Sequence, residues 1–192
     1  MKINSDKLIQ ELLTITENAR IAAEKLKSLD TFDLNRKKDA ISWSILECIE
    51  HLNLYGDFYL PEIEKQLINN KGGSKSPVFK SGILGNYFAN LMRVENGKLK
   101  KMKSPKDKNP ANSKLTITTI DRFLKQLSLL KSLLNQSREV NLTKTKTSIS
   151  LSPLIKLRLG DTFRFFVFHI ERHLLQAFKV LENVEVKARA AH

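Results

Sequence analysis

Apolar residues along this chain recur mostly at spacings of three and four, the period of helices that bury one face. From Asp6 to Leu29 the pattern is carried by Leu8, Ile9, Leu12, Leu13, Ile15, Ala19, Ala22, Ala23 and Leu26, with Ser5 or Asp6 placed to cap the start. A polar connection, Asp30 to Lys38, follows. The second helix opens at Ser44, where S-I-L-E reads as a capping box: the Ser44 hydroxyl accepts from the Glu47 amide, and the Glu47 carboxylate accepts from the Ser44 amide. Trp43 and Cys48 take the two staple positions of that start, and the helix runs on through His51 and Phe58. Pro61 either kinks it or starts a further segment, PEIEKQLINN. A third helix spans about Thr118 to Glu139, with Ile120, Phe123, Leu124, Leu127, Leu130, Leu133 and Leu134 on one wide apolar face. The fourth begins near Leu159 and ends near Val184.

Between the second and third helices the period breaks. KGGSKSP and KSPKDKNP are loop chemistry, with Gly, Ser and Pro punctuating lysines, and GILGNYFANLMRV between them predicts a short helix. NLTKTKTSISLSP is a second polar connector, in which TSISLS is the one strand-like stretch. The expected architecture is all-α: one domain over residues 1–192, a four-helix bundle with a long crossover at about 71–114 between the second and third helices. A connection of that length inside a compact domain usually crosses a bundle or covers a site.

Composition changes this picture in one respect. At 192 residues, 41% hydrophobic and 28% charged, the chain is long enough for a core and ordinary in its balance. Its net charge of +13, however, is local: Lys71 to Lys114 holds eleven Lys or Arg against Glu95 and Asp107. Such a segment could attract a polyanion, yet no nucleic-acid recognition motif accompanies it, so a solvated loop is the simpler reading and nucleic acid the weaker one. The single cysteine, Cys48, excludes an internal disulfide. No apolar run resembles a signal sequence or a membrane span, which predicts a cytoplasmic protein with no membrane partner.

Candidate chemistry rests on histidine. The stretch LRLGDTFRFFVFHIERHLLQAFKVLE carries His169 and His173 four residues apart, so both rings leave the helix on nearly one bearing, a turn apart. They border the apolar arc, on a stripe with Leu159, Thr162, Phe166, Gln176 and Val180, while Phe165 and Arg172 lie further round. His51 lies inside the second helix, on a face with Glu47, Glu50, Leu54 and Phe58. Each has a plainer reading: a lone histidine at His51 is more often a hydrogen-bonded core or boundary residue than a ligand, and H-x-x-x-H arises by chance. Together, three of four histidines fall in bundle helices, two at ligand spacing, while His192 sits at the last position and is set aside. The motif H-I-E-R-H places Ile170 after the first histidine and Glu171 about 200° from His169, so the H-E-x-x-H chemistry of zinc proteases is excluded. Three neutral imidazoles on one ion leave a coordination position for water or substrate, and imidazole suits Zn, Ni, Cu or Fe alike. Glu50 could orient His51, and Gln176 could bond a metal-bound water; their plainer roles are a boundary charge and a helix-surface amide. Cys48 leaves its helix on another bearing from His51 and reads as a small core residue.

The combination W-S-x-x-E-x-x-x-H-L at Trp43 to Leu52, L-G-D at Leu159 to Asp161 and H-x-x-x-H-x-x-Q at His169 to Gln176 resembles the DinB-like superfamily of metal-binding four-helix bundles. The likeness covers helix order, the long second connection and all three histidines. It implies a divalent metal, commonly nickel or zinc, held by His51, His169 and His173, and a homodimer. It also implies a small-molecule substrate or a low-molecular-weight thiol, since members with known activities are thiol-linked transferases and isomerases. The functional expectation is a metal-dependent thiol-linked transferase or hydrolase. Its rivals are a non-catalytic metal-binding or stress-related interaction protein and, behind that, a nucleic-acid-binding helical protein. The lysine-rich crossover has no counterpart in the family pattern; bordering the site, Lys98, Lys100, Lys101 and Lys103 would favour an anionic substrate.

Overall fold

The computed structural model describes residues 1–72, 74–94, 97 and 102–189, leaving aside the side chains of 153 and 183–189. Strand β1 (Lys2–Asn4) leads into α1 (Ser5–Lys27), a short α2 (Thr31–Asn35), α3 (Ile45–Asn69), β2 (Val78–Lys80) and α4 (Ile83–Met92). A 3-10 turn at Lys106–Lys108 precedes α5 (Thr118–Gln136), which ends in a second such turn, Ser137–Glu139. The chain closes with β3 (Lys146–Ile149), β4 (Ser152–Arg158) and the long α6 (Leu159–Arg189).

Local chemistry explains these bounds. Asn4, rather than Ser5 or Asp6, caps α1 by accepting from the Lys7 amide at 3.0 Å, because the Ser5 hydroxyl is committed to the Ser76 carbonyl at 2.8 Å. The capping box of α3 has both arms, with Glu47 N to Ser44 Oγ at 3.2 Å and Ser44 N to Glu47 Oε2 at 2.8 Å. Helix α3 passes through Pro61 unbroken; Tyr59, Leu60, Ile63 and Leu67 stay buried on both sides, and that burial offsets the lost backbone bond. Helix α6 runs to Arg189, beyond the expected end near Val184, since no Gly or Pro interrupts VEVKAR.

The molecule is predominantly helical, but the all-α expectation missed two small antiparallel strand pairs. Strand β1 pairs with β2, Ile3 opposite the fully buried Phe79, and so ties the chain's start to the crossover. Strands β3 and β4 form a hairpin, with Thr147 opposite Leu157 and a register irregularity at Ser148/Ile149. The first of these falls in TSISLS; the others escaped because three residues carry no period and β4 abuts the helix-like start of α6.

Helix α3 packs against α5 and α6, and α1 packs against the same two from the other side. Their shared core includes Leu12, Ala23, Ile49, Leu52, Phe123, Leu127, Phe163 and Val167, each at most 2% exposed. Helix α4, inside the crossover, is fastened to the first turns of α6 by buried polar groups. Asp161 accepts from the Gly82 amide at 2.8 Å, from the Ser81 hydroxyl, and from Arg164 Nη1 at 3.1 Å. Arg164 also reaches Asn86 at 3.1 Å and Asn90 at 3.3 Å on α4. The approach is so close that a Cβ at Gly85 would lie 2.5 Å from the Asp161 carboxylate.

Candidate metal centre

The capping box sets where α3 begins and therefore which way His51, two turns along, points: it faces α6. There its Nε2 lies 3.2 Å from His169 Nε2, and the ring centroids of His51, His169 and His173 are 4.5 to 5.1 Å apart. One ring nitrogen from each histidine falls within 4.8 Å of the others. His51 and His169 are each 3% exposed, while His173 is only partly buried, so the group opens on the His173 side.

A hydrogen bond fixes the tautomer of His51. A carbonyl can only accept, so His51 must donate its Nδ1–H to the Lys108 carbonyl, 2.5 Å away; that leaves the Nε2 lone pair aimed at the cluster. Gln176 Oε1 accepts likewise from His173 Nδ1 at 3.0 Å. His169 Nδ1 is buried with no hydrogen-bond partner among the described residues. Burial keeps all three rings neutral. Desolvation is the leading cause for each: it pushes His51 down to about 4 against the lesser opposing pull of the Lys108 carbonyl, and holds His169 and His173 well below the usual histidine range. Mutual repulsion adds to this, from His173 and His51 on His169, and from His51 and Arg172 on His173.

This donor set fits a metal ion. Two nitrogens on one tetrahedral ion at about 2.0–2.1 Å stand about 3.3 Å apart, close to the 3.2 Å between His51 and His169. The same distance also suits an N–H···N hydrogen bond from a neutral His169 carrying its proton on Nε2, so the pair accommodates a metal ion without requiring one.

Aromatic rings enclose the cluster. Trp43 lies 4.8 Å from His51 and 5.9 Å from His173, Tyr55 lies 4.9 Å from His51 and 4.4 Å from His169, and Phe165 stacks on His169 at 5.7 Å and 15°. Tyr55 follows His51 by four residues and Phe165 precedes His169 by four, so both stand one turn away on the same bearing. That spacing was readable, and it corrects the expectation that Phe165 lies further round the helix. The Lys108 carbonyl, a backbone atom 57 positions from His51, carries no side-chain signal by which it could have been found.

The other candidates take plainer places. Glu50 pairs with Arg122 at 3.0 Å and accepts from Asn53 at 3.0 Å, with no bond to His51. Gln176 bonds His173 itself. Cys48 is buried in the core, where desolvation pushes its thiol above the ordinary range. Glu47 does more than cap: 2% exposed, it accepts from the Asn112 amide at 2.6 Å and from Lys37 Nζ at 2.7 Å. Beside the histidines the crossover is thus held by Asn112 on Glu47 and Lys108 on His51, in addition to its attachments through β2 and α4. Of its four singled-out lysines, Lys98, Lys100 and Lys101 lie outside the described residues, and Lys103 lines a cavity of about 190 Å³ beside the histidines.

The fold and this cluster define a class: a mainly helical protein whose two long helices bring three neutral imidazoles to one buried point. The chain belongs to the DinB superfamily, whose family model matches residues 14–177. Comparison with curated proteins and with solved structures gave no match. Among the described residues no helix is long and apolar enough to cross a membrane.

Proposed function

We propose that His51, His169 and His173 hold one divalent metal ion, nickel or zinc first, on a four-helix bundle of the DinB type, and that the protein is a metal-dependent thiol-linked transferase or hydrolase. The observation that carries this reading is the pair of opposed Nε2 atoms 3.2 Å apart, on rings kept neutral by burial. Such an ion would act as a Lewis acid on a water or thiol at its open position. The chain's own groups supply the rest. The Lys108 carbonyl and Gln176 orient His51 and His173, a role that in metal sites sharpens both ring direction and basicity. Trp43, Tyr55 and Phe165 keep bulk water from three sides, which strengthens electrostatic interactions inside.

The anchoring of the basic crossover to Glu47 and His51 supports a part for it in building this centre, in preference to a nucleic-acid contact. Elemental analysis of protein purified without an affinity tag tests the proposal: about one metal per chain, lost in His169→Ala and in His51→Ala, is expected. Wild-type protein without stoichiometric metal, or variants that keep it, would end the reading.

A further inference from the structure

The cavity beside the histidines is built around Phe165. One face of that ring stacks on His169; around it stand Tyr59 at 5.6 Å, Tyr55 at 6.4 Å and Phe88 at 6.5 Å. All four rings line the cavity, together with side chains of α4, the β3–β4 hairpin and the crossover. Two of these rings, Tyr55 and Phe165, therefore form a wall common to the cavity and the histidine cluster.

Three properties define an occupant. The first is size: an apolar cavity of about 150 Å³ accommodates benzene, so about 190 Å³ suits one six-membered ring with a short arm. The second is surface. The lining is aromatic and aliphatic, with two methionines, Met92 and Met102, that adapt to irregular shapes, and edge-to-face contacts with four rings favour an arene. Polar atoms are few. The Tyr59 hydroxyl already accepts from the Ser150 amide at 3.3 Å, whereas the Tyr55 hydroxyl has no hydrogen-bond partner among the described residues and is free to donate. The third is charge: the Asp107 carboxylate acts on the Tyr55 hydroxyl from outside the lining, and among the described residues the one charged group that lines the cavity is the exposed Lys103. A carboxylate is matched there and an ammonium is not.

We infer that this cavity is the substrate pocket of the histidine centre and that it takes a small aromatic carboxylate, ring inward among Tyr55, Tyr59, Phe88 and Phe165 and carboxylate toward Lys103. That the ligand is a substrate rests on the metal reading above; that it binds does not.

Phenylacetate, acetate and phenethylamine titrated calorimetrically into metal-loaded and EDTA-treated protein, with metal content measured on each sample, test this. Phenylacetate is expected to saturate one site, with acetate and phenethylamine each weaker by about tenfold or more. Filling the cavity by Leu91→Trp, or independently by Ser150→Phe, is expected to weaken phenylacetate by about tenfold or more, and Lys103→Glu to remove its advantage over phenethylamine. Equal binding of phenylacetate and acetate, or unchanged affinity in both filled variants with native circular dichroism, overturns the inference. Metal-loaded protein that ignores phenylacetate sinks the pocket and spares the metal. Protein that binds phenylacetate but holds no metal does the reverse, leaving a carboxylate site with no catalytic centre beside it.

Discussion

Acidification of metal-free protein gives a quantitative test of the buried histidines. His51 falls from 6.5 to about 4 on folding, chiefly through desolvation, so between those values the unfolded chain binds a proton that the folded chain refuses. The sign follows: unfolding takes up protons in this window, so stability is fully present above pH 6.5 and drains as pH falls toward 4. For His51 alone the loss is about 1.4 kcal/mol at pH 5.5 and about 2.6 kcal/mol at pH 4.5, out of a limit near 3.4 kcal/mol. His169 and His173 shift in the same direction, so the measured slope should exceed the roughly 1.4 kcal/mol per pH unit of a single proton. Set against a typical domain stability of about 5–15 kcal/mol, that is a large fraction. Urea unfolding of EDTA-treated protein, followed by circular dichroism in half-unit steps from pH 7.5 to 5.0, reads it directly. Above pH 5 ordinary carboxylates are largely quiet, while Glu171, raised by burial, acts with the opposite sign and makes any observed loss a lower bound. His51→Gln should flatten the curve by about the His51 share. A stability that stays level from pH 7.5 to 5.0 would falsify the premise that these rings are buried and neutral.

Free Zn²⁺ or Ni²⁺ at about a hundred times its dissociation constant should stabilise the native state by about 2.7 kcal/mol, about 5–10 °C in Tm for a chain of this length, and His173→Ala should abolish that rise in a thermal melt. Asp161→Asn leaves Arg164 charged and buried; it should cost about 3–5 kcal/mol in urea unfolding. Glu47→Gln weakens the hold on Lys37 and strips charge from the bond to the Asn112 amide; a loss of about 1–3 kcal/mol, with faster hydrogen exchange around Asn112, is expected. Cys48 should resist a thiol reagent in native buffer and react once per chain in urea, as its burial and raised thiol pKa require.

What could be read from the residues and what could not divide along one physical line. Ser44 and Glu47 form a local motif, and a local motif fixes helical phase; once α3 starts at Ile45, the direction of His51 is settled by arithmetic. The same holds for His169 and His173, and it extended further than it was taken, to Tyr55 and Phe165 at four residues' distance. An aromatic at helical spacing looks like any core residue until a partner helix supplies the histidine it touches. Strands β1 and β2 depend on each other across some 75 positions, and three residues apiece leave no period to detect. The crossover was legible as a long, basic connection with a short helix, found as α4, but not as a source of site contacts. Its site role comes instead from two backbone groups, the Lys108 carbonyl and the Asn112 amide, and a backbone group has the same chemistry whatever side chain it carries. The crossover's contribution to the metal centre therefore rests on where its backbone is held, and Glu47, the residue that caps the helix carrying His51, is also the residue that holds it. Lengthening the loop between Lys108 and Asn112 by two glycines should thus loosen His51 without altering any lysine. Weaker metal binding in that insertion variant, against unchanged binding when Lys106 and Lys114 are made neutral, is the pattern this predicts.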